Sequence, residues 1–315
     1  MVKLNPFYLD LPECVWEEKI EKAFSYLQDC NLCPRECKVN RLEDEQGFCK
    51  NGRYAYVASF NLHFGEEEPL VGSTGSGTIF FAGCNLGCVF CQNYDISHSI
   101  ATAQAVTEED LASIMLFLQQ KGACNINFVS PSHVVPQILK AIKIARAKGL
   151  TIPLVYNTGA YDKVEIIKLL ENVIDIYMPD TKFYHSRPSR IYLKAKDYPE
   201  LAKKAIKEMH RQVGDLILDE HKIARKGLLI RHLLMPGNLA ATEKWLEFIA
   251  REISPNTYLN IMDQYRPCGE ANRFPELCQT ISYADYKKAV DLAHQCGLNR
   301  LDKKDLARLM FFLNR

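Results

Sequence analysis

Two kinds of apolar pattern alternate along this chain. Short continuous apolar runs, rich in β-branched and aromatic residues, predict strands, whereas segments with an apolar residue at every third or fourth position predict amphipathic helices. The runs predict six strands, at 78–81, 125–129, 152–156, 173–178, 228–234 and 258–262. The periodic segments predict helices at 13–27, 107–118, 134–147, 164–170, 198–213 and 245–253, with two more between 282 and 313.

The regular order of strands and helices predicts the fold class. A strand, a crossover helix and a parallel strand connect with a right-handed turn, and repetition of this unit produces a curled sheet with its site at the carboxyl ends of the strands. We therefore predict an α/β protein, a partial (β/α)6 barrel with a small N-terminal cysteine-rich metal module. The predicted boundaries are 1–62 for an N-terminal helix and the module, 63–281 for the barrel, and 282–315 for C-terminal helices packed on it.

Composition adds limits on size, location and partners. With 315 residues and 47% hydrophobic content, the chain is able to bury one barrel-sized core. Lys and Arg total 39 against 38 for Asp and Glu, so no charge excess indicates nucleic acid or an anionic membrane as a partner. The lack of a signal peptide and of a membrane-spanning apolar run predicts a cytoplasmic protein. In that reducing compartment, twelve cysteines indicate metal binding rather than disulfides.

Three cysteines directly after the first predicted barrel strand form the most specific motif. Cys84, Cys88 and Cys91 have the spacing CxxxCxxC, which brings three thiolates together in one loop at the carboxyl end of a strand. Three thiolates bind a 4Fe-4S cluster and leave one iron free for a small molecule, whereas four close the cluster. Buried structural thiols and three ligands of a zinc site are the alternatives.

Phe90 stands immediately before the third cysteine, and CxxxCxxC with this aromatic residue resembles the signature of the radical S-adenosylmethionine superfamily. The resemblance implies a partial barrel, a 4Fe-4S cluster and S-adenosyl-L-methionine (SAM), whose one-electron cleavage yields methionine and a 5′-deoxyadenosyl radical. Within the superfamily, the chain resembles uncharacterised proteins similar to pyruvate formate-lyase activating enzyme that bear an N-terminal cysteine module. It departs from true activases at Gln92, where they commonly carry histidine, and it lacks their Gly-Gly-Glu motif.

The same resemblance implies cofactor contacts at the carboxyl ends of the predicted strands. Ser130 and Ser132 stand where activases carry the Gly-Gly-Glu motif, and their oxygen atoms are candidates for cofactor contact. Asn157 lies in an Asn-Thr-Gly segment similar to the Thr-Asn-Gly of activases. Asp180 and Lys182 resemble the Asp-x-Lys that positions the methionine end of SAM, and two residues so spaced point the same way from a strand.

Other polar residues near the strand ends have two interpretations each. Arg231 interrupts an apolar predicted strand, and because an unpaired buried guanidinium is costly, its partner is either SAM or a structural ion pair with Asp180. His133 is either a helix-entry residue or a proton-transfer group. The segment at 65–69 predicts a solvated turn. Candidates for substrate contact follow the last strand: Gln264, Tyr265 and Arg266.

Four further cysteines, Cys30, Cys33, Cys37 and Cys49, lie in one loop-rich segment before the barrel. Four thiolates form a closed tetrahedral set that suits either zinc or a second iron–sulfur cluster, and the sequence does not distinguish the two. Four unmetallated thiols are the third possibility, although a segment this poor in apolar residues has little else to fold around.

Three functions are compatible with these patterns. The first is a radical SAM enzyme that removes hydrogen from a protein or peptide, like an activase of glycyl-radical enzymes, with a flavodoxin- or ferredoxin-type electron donor as its partner. The second is radical SAM modification of RNA or of a small metabolite, and the near-neutral charge counts against RNA. The third is a non-catalytic metal-binding interaction protein.

Overall fold

A computed structural model describes residues 5–302, and nine strands form one sheet in this part of the chain. The strands are β1 (Ala55–His63), β2 (Ser76–Phe81), β3 (Gln104–Val106), β4 (Ile126–Val129), β5 (Leu154–Thr158), β6 (Ile176–Thr181), β7 (Ile217–Leu218), β8 (Ala224–Leu233) and β9 (Tyr258–Met262). The α-helices are α1 (Glu13–Gln28), α2 (Glu68–Val71), α3 (Tyr94–Ser97), α4 (Glu108–Gln120), α5 (Val135–Ala147), α6 (Val164–Leu169), α7 (Ser186–Tyr192), α8 (Tyr198–Val213), α9 (Thr242–Phe248) and α10 (Tyr283–Gln295). Within the described range, no helix has the length and apolar character needed to cross a lipid bilayer.

Six parallel strands form the centre of the sheet, in the order β2-β4-β5-β6-β8-β9. Their carboxyl ends surround one cavity, as expected for a partial barrel, so the predicted fold class is confirmed. β1 extends the sheet antiparallel to β2 and carries β3 on its outer edge, while β7 pairs antiparallel with β8. The predicted boundary at residue 62 falls within β1, which pairs with β2 of the barrel. The end of the predicted N-terminal segment is therefore part of the barrel sheet.

Several strand bounds differ from the prediction, and β5 and β6 begin later than predicted, at Leu154 and Ile176. β9 has the predicted bounds, whereas β5 and β6 continue past the predicted ends to Thr158 and Thr181. The apolar runs stop before Thr158 and Thr181, so the pattern does not predict strand there. In the structure, pairing between β5 and β6 continues to Thr158 and Pro179. The polar side chains at the ends of both strands are therefore held by sheet pairing rather than by a loop.

Local capping explains where several helices begin. Thr107 starts α4 and Ser282 starts α10, each in a capping box with the aspartate three residues later. The predicted helix at 245–253 begins slightly earlier, as α9, and continues into a short π-helical turn. Of the two helices predicted between 282 and 313, α10 is the first, and the second lies outside the described residues.

The N-terminal segment is anchored to the amino end of the sheet, on the side opposite the cavity. The Asp175 carboxylate accepts backbone hydrogen bonds from Phe7 (2.7 Å) and Leu154 (2.8 Å). Burial raises the pKa of Asp175 to about 7 although both hydrogen bonds act to lower it. α1 then packs on the outer helices with Trp16 fully buried. One buried carboxyl group thus connects the start of the chain to β5.

Replacement of Asp175 with alanine should lower the free energy of unfolding by about 2–4 kcal/mol, because a buried N–H group of Leu154 and a partly buried one of Phe7 lose their acceptor. Chemical denaturation followed by circular dichroism measures the change. Asp10→Ala is the control, since Asp10 is exposed, and its expected effect is within about 0.5 kcal/mol. Equal stability of the two variants would contradict the anchoring role of Asp175.

Candidate active site

A cavity of about 400 Å³ lies at the carboxyl edge of the parallel strands. All six strands contribute to its wall. The residues from these six strands are Phe80 and Phe81 of β2, Val129 of β4, Asn157 and Thr158 of β5, Asp180 of β6, Arg231 and Leu233 of β8, and Met262 of β9, and His63 of β1 also lines the wall. Its volume lies within the range of about 300–1,000 Å³ that is usual for cofactor and small-molecule sites.

The loop after β2 brings Cys84, Cys88 and Cys91 to the wall of this cavity. The Leu86 N–H donates to Cys84 Sγ at 3.4 Å, and the Ser97 hydroxyl donates to Cys91 Sγ at 3.2 Å. Hydrogen bonds of this kind stabilise a thiolate relative to a thiol. Three cysteines that are close in sequence therefore line one cavity, and two of them already accept hydrogen bonds.

The environment of these thiols is compatible with a cluster. Burial raises the pKa of Cys84 to about 11 and also raises the pKa of Cys88, where the Lys182 ammonium opposes the increase. Among residues 5–302, no three His, Cys, Asp or Glu side chains are grouped closely enough to hold a single metal ion. A 4Fe-4S cluster binds each thiolate through a different iron, so its ligands are spread around the cluster. Cysteines spread along a cavity wall suit that larger group.

Buried charges form another part of the wall. The Asp180 carboxylate accepts from Lys182 Nζ at 2.9 Å and from Arg231 Nε at 2.7 Å. Arg231 Nη2 also donates to Asn157 Oδ1 at 2.7 Å. Burial acts to raise the pKa of Asp180, but Arg231 and Lys182 outweigh it and hold that pKa below its usual value. The structural ion pair between Arg231 and Asp180, one of the two predicted interpretations, is present.

Two acidic residues that the sequence did not identify complete this network. The predicted solvated turn at 65–69 is wrong, because Glu67 is buried and the Glu66 side chain is nearly so. Arg231 lies 3.6 Å from Glu66 and 4.0 Å from Glu67, and Asn260 donates to Glu67 at 2.7 Å. Burial raises the pKa of Glu67 to about 7. Glu66 also lines the cavity and accepts from the His63 imidazole at 3.0 Å.

The two serines after β4 have different positions. Ser130 lines the cavity in a left-handed conformation, with φ of 58°. Ser132 is buried outside the cavity wall, and its hydroxyl lies 3.0 Å from the Thr158 hydroxyl. Only Ser130 is therefore brought to the site. Ser132 contacts Thr158, which lines the cavity from β5, and so lies behind the wall.

His133 is buried away from the barrel cavity. Its Nε2 lies 3.0 Å from the Ala82 carbonyl oxygen, so Nε2 carries the hydrogen and donates it. Burial, together with the neighbouring Arg41, lowers the pKa of His133 to about 3. A neutral imidazole bonded to backbone at this position favours the structural interpretation over proton transfer.

Aromatic residues close the side of the cavity beside the cysteines. Phe90 is buried edge-on against Phe183 and tilted against Tyr265, with ring centroids 5.7 Å and 6.0 Å away. Phe90, Tyr265 and Gln264 all line the cavity, whereas Arg266 does not. Two of the three candidates for substrate contact are thus at the site.

The four N-terminal cysteines line a separate cavity of about 10 Å³. Asn85, which follows Cys84 in the CxxxCxxC loop, also lines this cavity. Burial raises the pKa of Cys33, and the thiols of Cys49, Cys30 and Cys37 raise it further. Their shared place in the wall of one small cavity brings the four thiols to the same part of the molecule. The other five cysteines line neither of these cavities: Cys14, Cys124, Cys268, Cys278 and Cys296.

Comparison with known proteins identifies relatives by sequence. The chain is 35% identical over 303 residues to the uncharacterized protein MJ0674 of Methanocaldococcus jannaschii. The aligned region covers 94% of this chain and 81% of that protein. It is 26% identical over 157 residues to the uncharacterized protein MJ0808 of the same organism. This aligned region covers 45% of this chain and 46% of that protein. No protein-family model matches the chain.

A solved structure supports the description of the fold. HydG, a maturase of the [FeFe]-hydrogenase, superimposes with a TM-score of 0.53 at 13% sequence identity and covers 96% of this chain. This chain spans about 60% of the length of HydG. The likeness therefore shows a shared fold across nearly all of this chain.

Replacement of Arg231 with methionine should destabilise the protein by about 3–5 kcal/mol at pH 8, because the buried carboxylates around it lose their counter-ion. The loss should be smaller at pH 5. The pKa of Glu67 is raised to about 7, so this carboxyl group is mostly protonated at pH 5 and then needs no counter-ion. Chemical denaturation at the two pH values measures the difference.

Arg225→Met is the matched control, because Arg225 forms an ion pair with Asp219 in a more exposed position. Its expected effect is below about 1 kcal/mol at both pH values. Similar losses for the two variants, or a loss at Arg231 that is independent of pH, would contradict the proposed balance of buried charges.

Proposed function

The chain belongs to the family of the uncharacterized protein MJ0674, and from its active-site cavity we propose that it is a radical SAM enzyme. The observation that carries this proposal is that Cys84, Cys88 and Cys91, in the spacing CxxxCxxC, line a cavity of cofactor size at the carboxyl edge of a partial barrel. Parallel barrels bind their ligands at this edge. Buried cationic and anionic groups in the same wall suit a zwitterionic ligand such as SAM.

Each cysteine thiolate would hold one iron of a 4Fe-4S cluster, which leaves the fourth iron for the amino and carboxylate groups of SAM. When bound, the cluster and SAM would supply one-electron reductive cleavage of SAM and abstraction of a hydrogen atom from the substrate. The electron would come from a low-potential donor of the flavodoxin or ferredoxin type.

The residues of the chain have positioning roles in this proposal. The Lys182 ammonium favours the thiolate form of Cys88 and is itself held by Asp180. Arg231 holds Asp180 and the Asn157 side-chain oxygen, so the Asn157 amide nitrogen is free to meet a ligand. Phe90 is buried against Phe183 and Tyr265 and supplies an apolar part of the cavity wall beside Cys91.

We propose a protein or peptide as the substrate, as for the activases that the sequence resembles. Three exposed carboxamide side chains belong to the cavity wall, those of Gln92, Asn93 and Gln264. The Gln92 side-chain Nε2 donates to the backbone carbonyl oxygen of Gln264 at 3.1 Å. Carboxamides both donate and accept hydrogen bonds, as a peptide backbone does. The net charge of +1 gives no general attraction to RNA.

Anaerobically reconstituted protein should convert SAM to 5′-deoxyadenosine and methionine when dithionite is added, as measured by chromatography. Cys88→Ala should abolish this conversion because the cluster loses a ligand. Cys14→Ala, at an exposed position on α1, should have wild-type activity. A verified cluster that never cleaves SAM would reject the proposal and favour a non-catalytic metal-binding protein.

A glycine-containing peptide deuterated at Cα should transfer deuterium into 5′-deoxyadenosine, as measured by mass spectrometry. Gln264→Ala should raise KM for the peptide about two- to tenfold, which corresponds to one lost hydrogen bond. Arg266→Ala is the control, because Arg266 lies outside the cavity wall, and should leave KM unchanged. Deuterium transfer from RNA or from a small metabolite, and none from peptides, would overturn the substrate assignment.

A further inference from the structure

A buried guanidinium group without a carboxylate partner lies beside the four N-terminal cysteines. Arg41 is 1% exposed and lines the small cavity together with Cys30, Cys33, Cys37 and Cys49. Its Nε donates to the Gly52 carbonyl at 3.0 Å and its Nη1 to the His133 carbonyl at 2.8 Å. Its Nη2 is buried with no hydrogen-bond partner among the described residues.

Such a charge requires compensation. Arg41 forms none of the ion pairs observed within residues 5–302. Two neutral carbonyl groups satisfy part of its hydrogen-bonding capacity but not its charge, and an uncompensated buried charge is strongly destabilising. The remaining groups in the cavity wall that are able to become anionic are the four cysteine thiols.

We propose that Cys30, Cys33, Cys37 and Cys49 hold a metal centre of net negative charge and that Arg41 is its counter-ion. A Zn²⁺ ion with four thiolates and an oxidised 4Fe-4S cluster with four thiolates are both dianions, so the same charge argument applies to either metal. The unpartnered Nη2 then donates to a metal-bound sulfur. This inference is independent of any reaction in the barrel cavity.

The backbone around the cysteines supports a built metal site. A Cβ atom at Gly47 would lie 2.7 Å from both Cβ and Sγ of Cys37, so only glycine allows this close approach. The Phe48 N–H donates to Cys37 Sγ at 3.3 Å, as backbone donors do in metal–thiolate loops. Arg35 holds the other side of the module, because its guanidinium stacks on Phe48 at 3.9 Å and bonds the Asn85 carbonyl. Among the described residues, no three thiols lie close enough together for a single ion, so the arrangement suits a 4Fe-4S cluster, whose thiolates bind different irons, better than one zinc ion.

The metal content of a variant without the barrel cysteines tests the proposal separately from the proposed function. In Cys84→Ala/Cys88→Ala/Cys91→Ala protein, isolated anaerobically, elemental analysis should find either about one zinc ion per chain or about four iron ions with matching sulfide. Zinc identifies the closed ion site, and iron with sulfide identifies a second cluster. Folded protein with neither metal, as judged by circular dichroism, would overturn the proposal.

Arg41 is tested in the same background by competition with a chelator. Arg41→Met should weaken metal retention about 10- to 100-fold, the usual effect of removing a partner of the metal ligands. Arg41→Lys keeps the charge and should recover most of the retention. Equal retention by all three proteins would refute the counter-ion role, and Cys37→Ser should release the metal even if Arg41→Met does not fold.

Discussion

The pairing of two neighbouring strands places the central ion pair of the active site. β6 and β8 are parallel, and their register sets Asp180 directly opposite Arg231. A shift of β8 by one residue would turn Arg231 to the other face of the sheet, away from Asp180. Because buried charges are stable only when paired, the ion pair and the strand register stabilise each other. The strand ends that surround the cavity depend on this mutual support.

Much of the fold and part of the site can be predicted from the sequence, because the signals are local. Both cysteine groups lie within single loops, and each parallel strand is announced by its own apolar run. The ends of β5 and β6 could not be predicted, because the polar residues there are held by pairing with neighbours rather than by their own hydrophobicity. Ser130 and Ser132 look equivalent in sequence, and only the turn after β4 separates one from the other.

The residues that sequence reasoning missed are distant in the chain from those they contact. Glu66 and Glu67 resemble a solvated acidic turn, yet they approach Arg231 and Asn260 across the barrel. Arg41 resembles an ordinary charged loop residue, and its burial follows from contact with His133. No periodicity or spacing records such contacts. The cost of an unpaired buried charge identifies such residues only after the structure shows that they are buried.

Gly83 is the point where the backbones of the two cysteine groups come into direct contact. Its φ is 77°, and a Cβ atom there would overlap the Cys49 carbonyl oxygen and the Asn51 side chain. The backbone of the fourth module cysteine therefore forms the floor under the residue that precedes Cys84. A barrel separated from the module would have a gap beneath its cysteine loop. A side chain at position 83 would collide with the Cys49 backbone, so the cysteine loop of the barrel keeps its conformation only with glycine here.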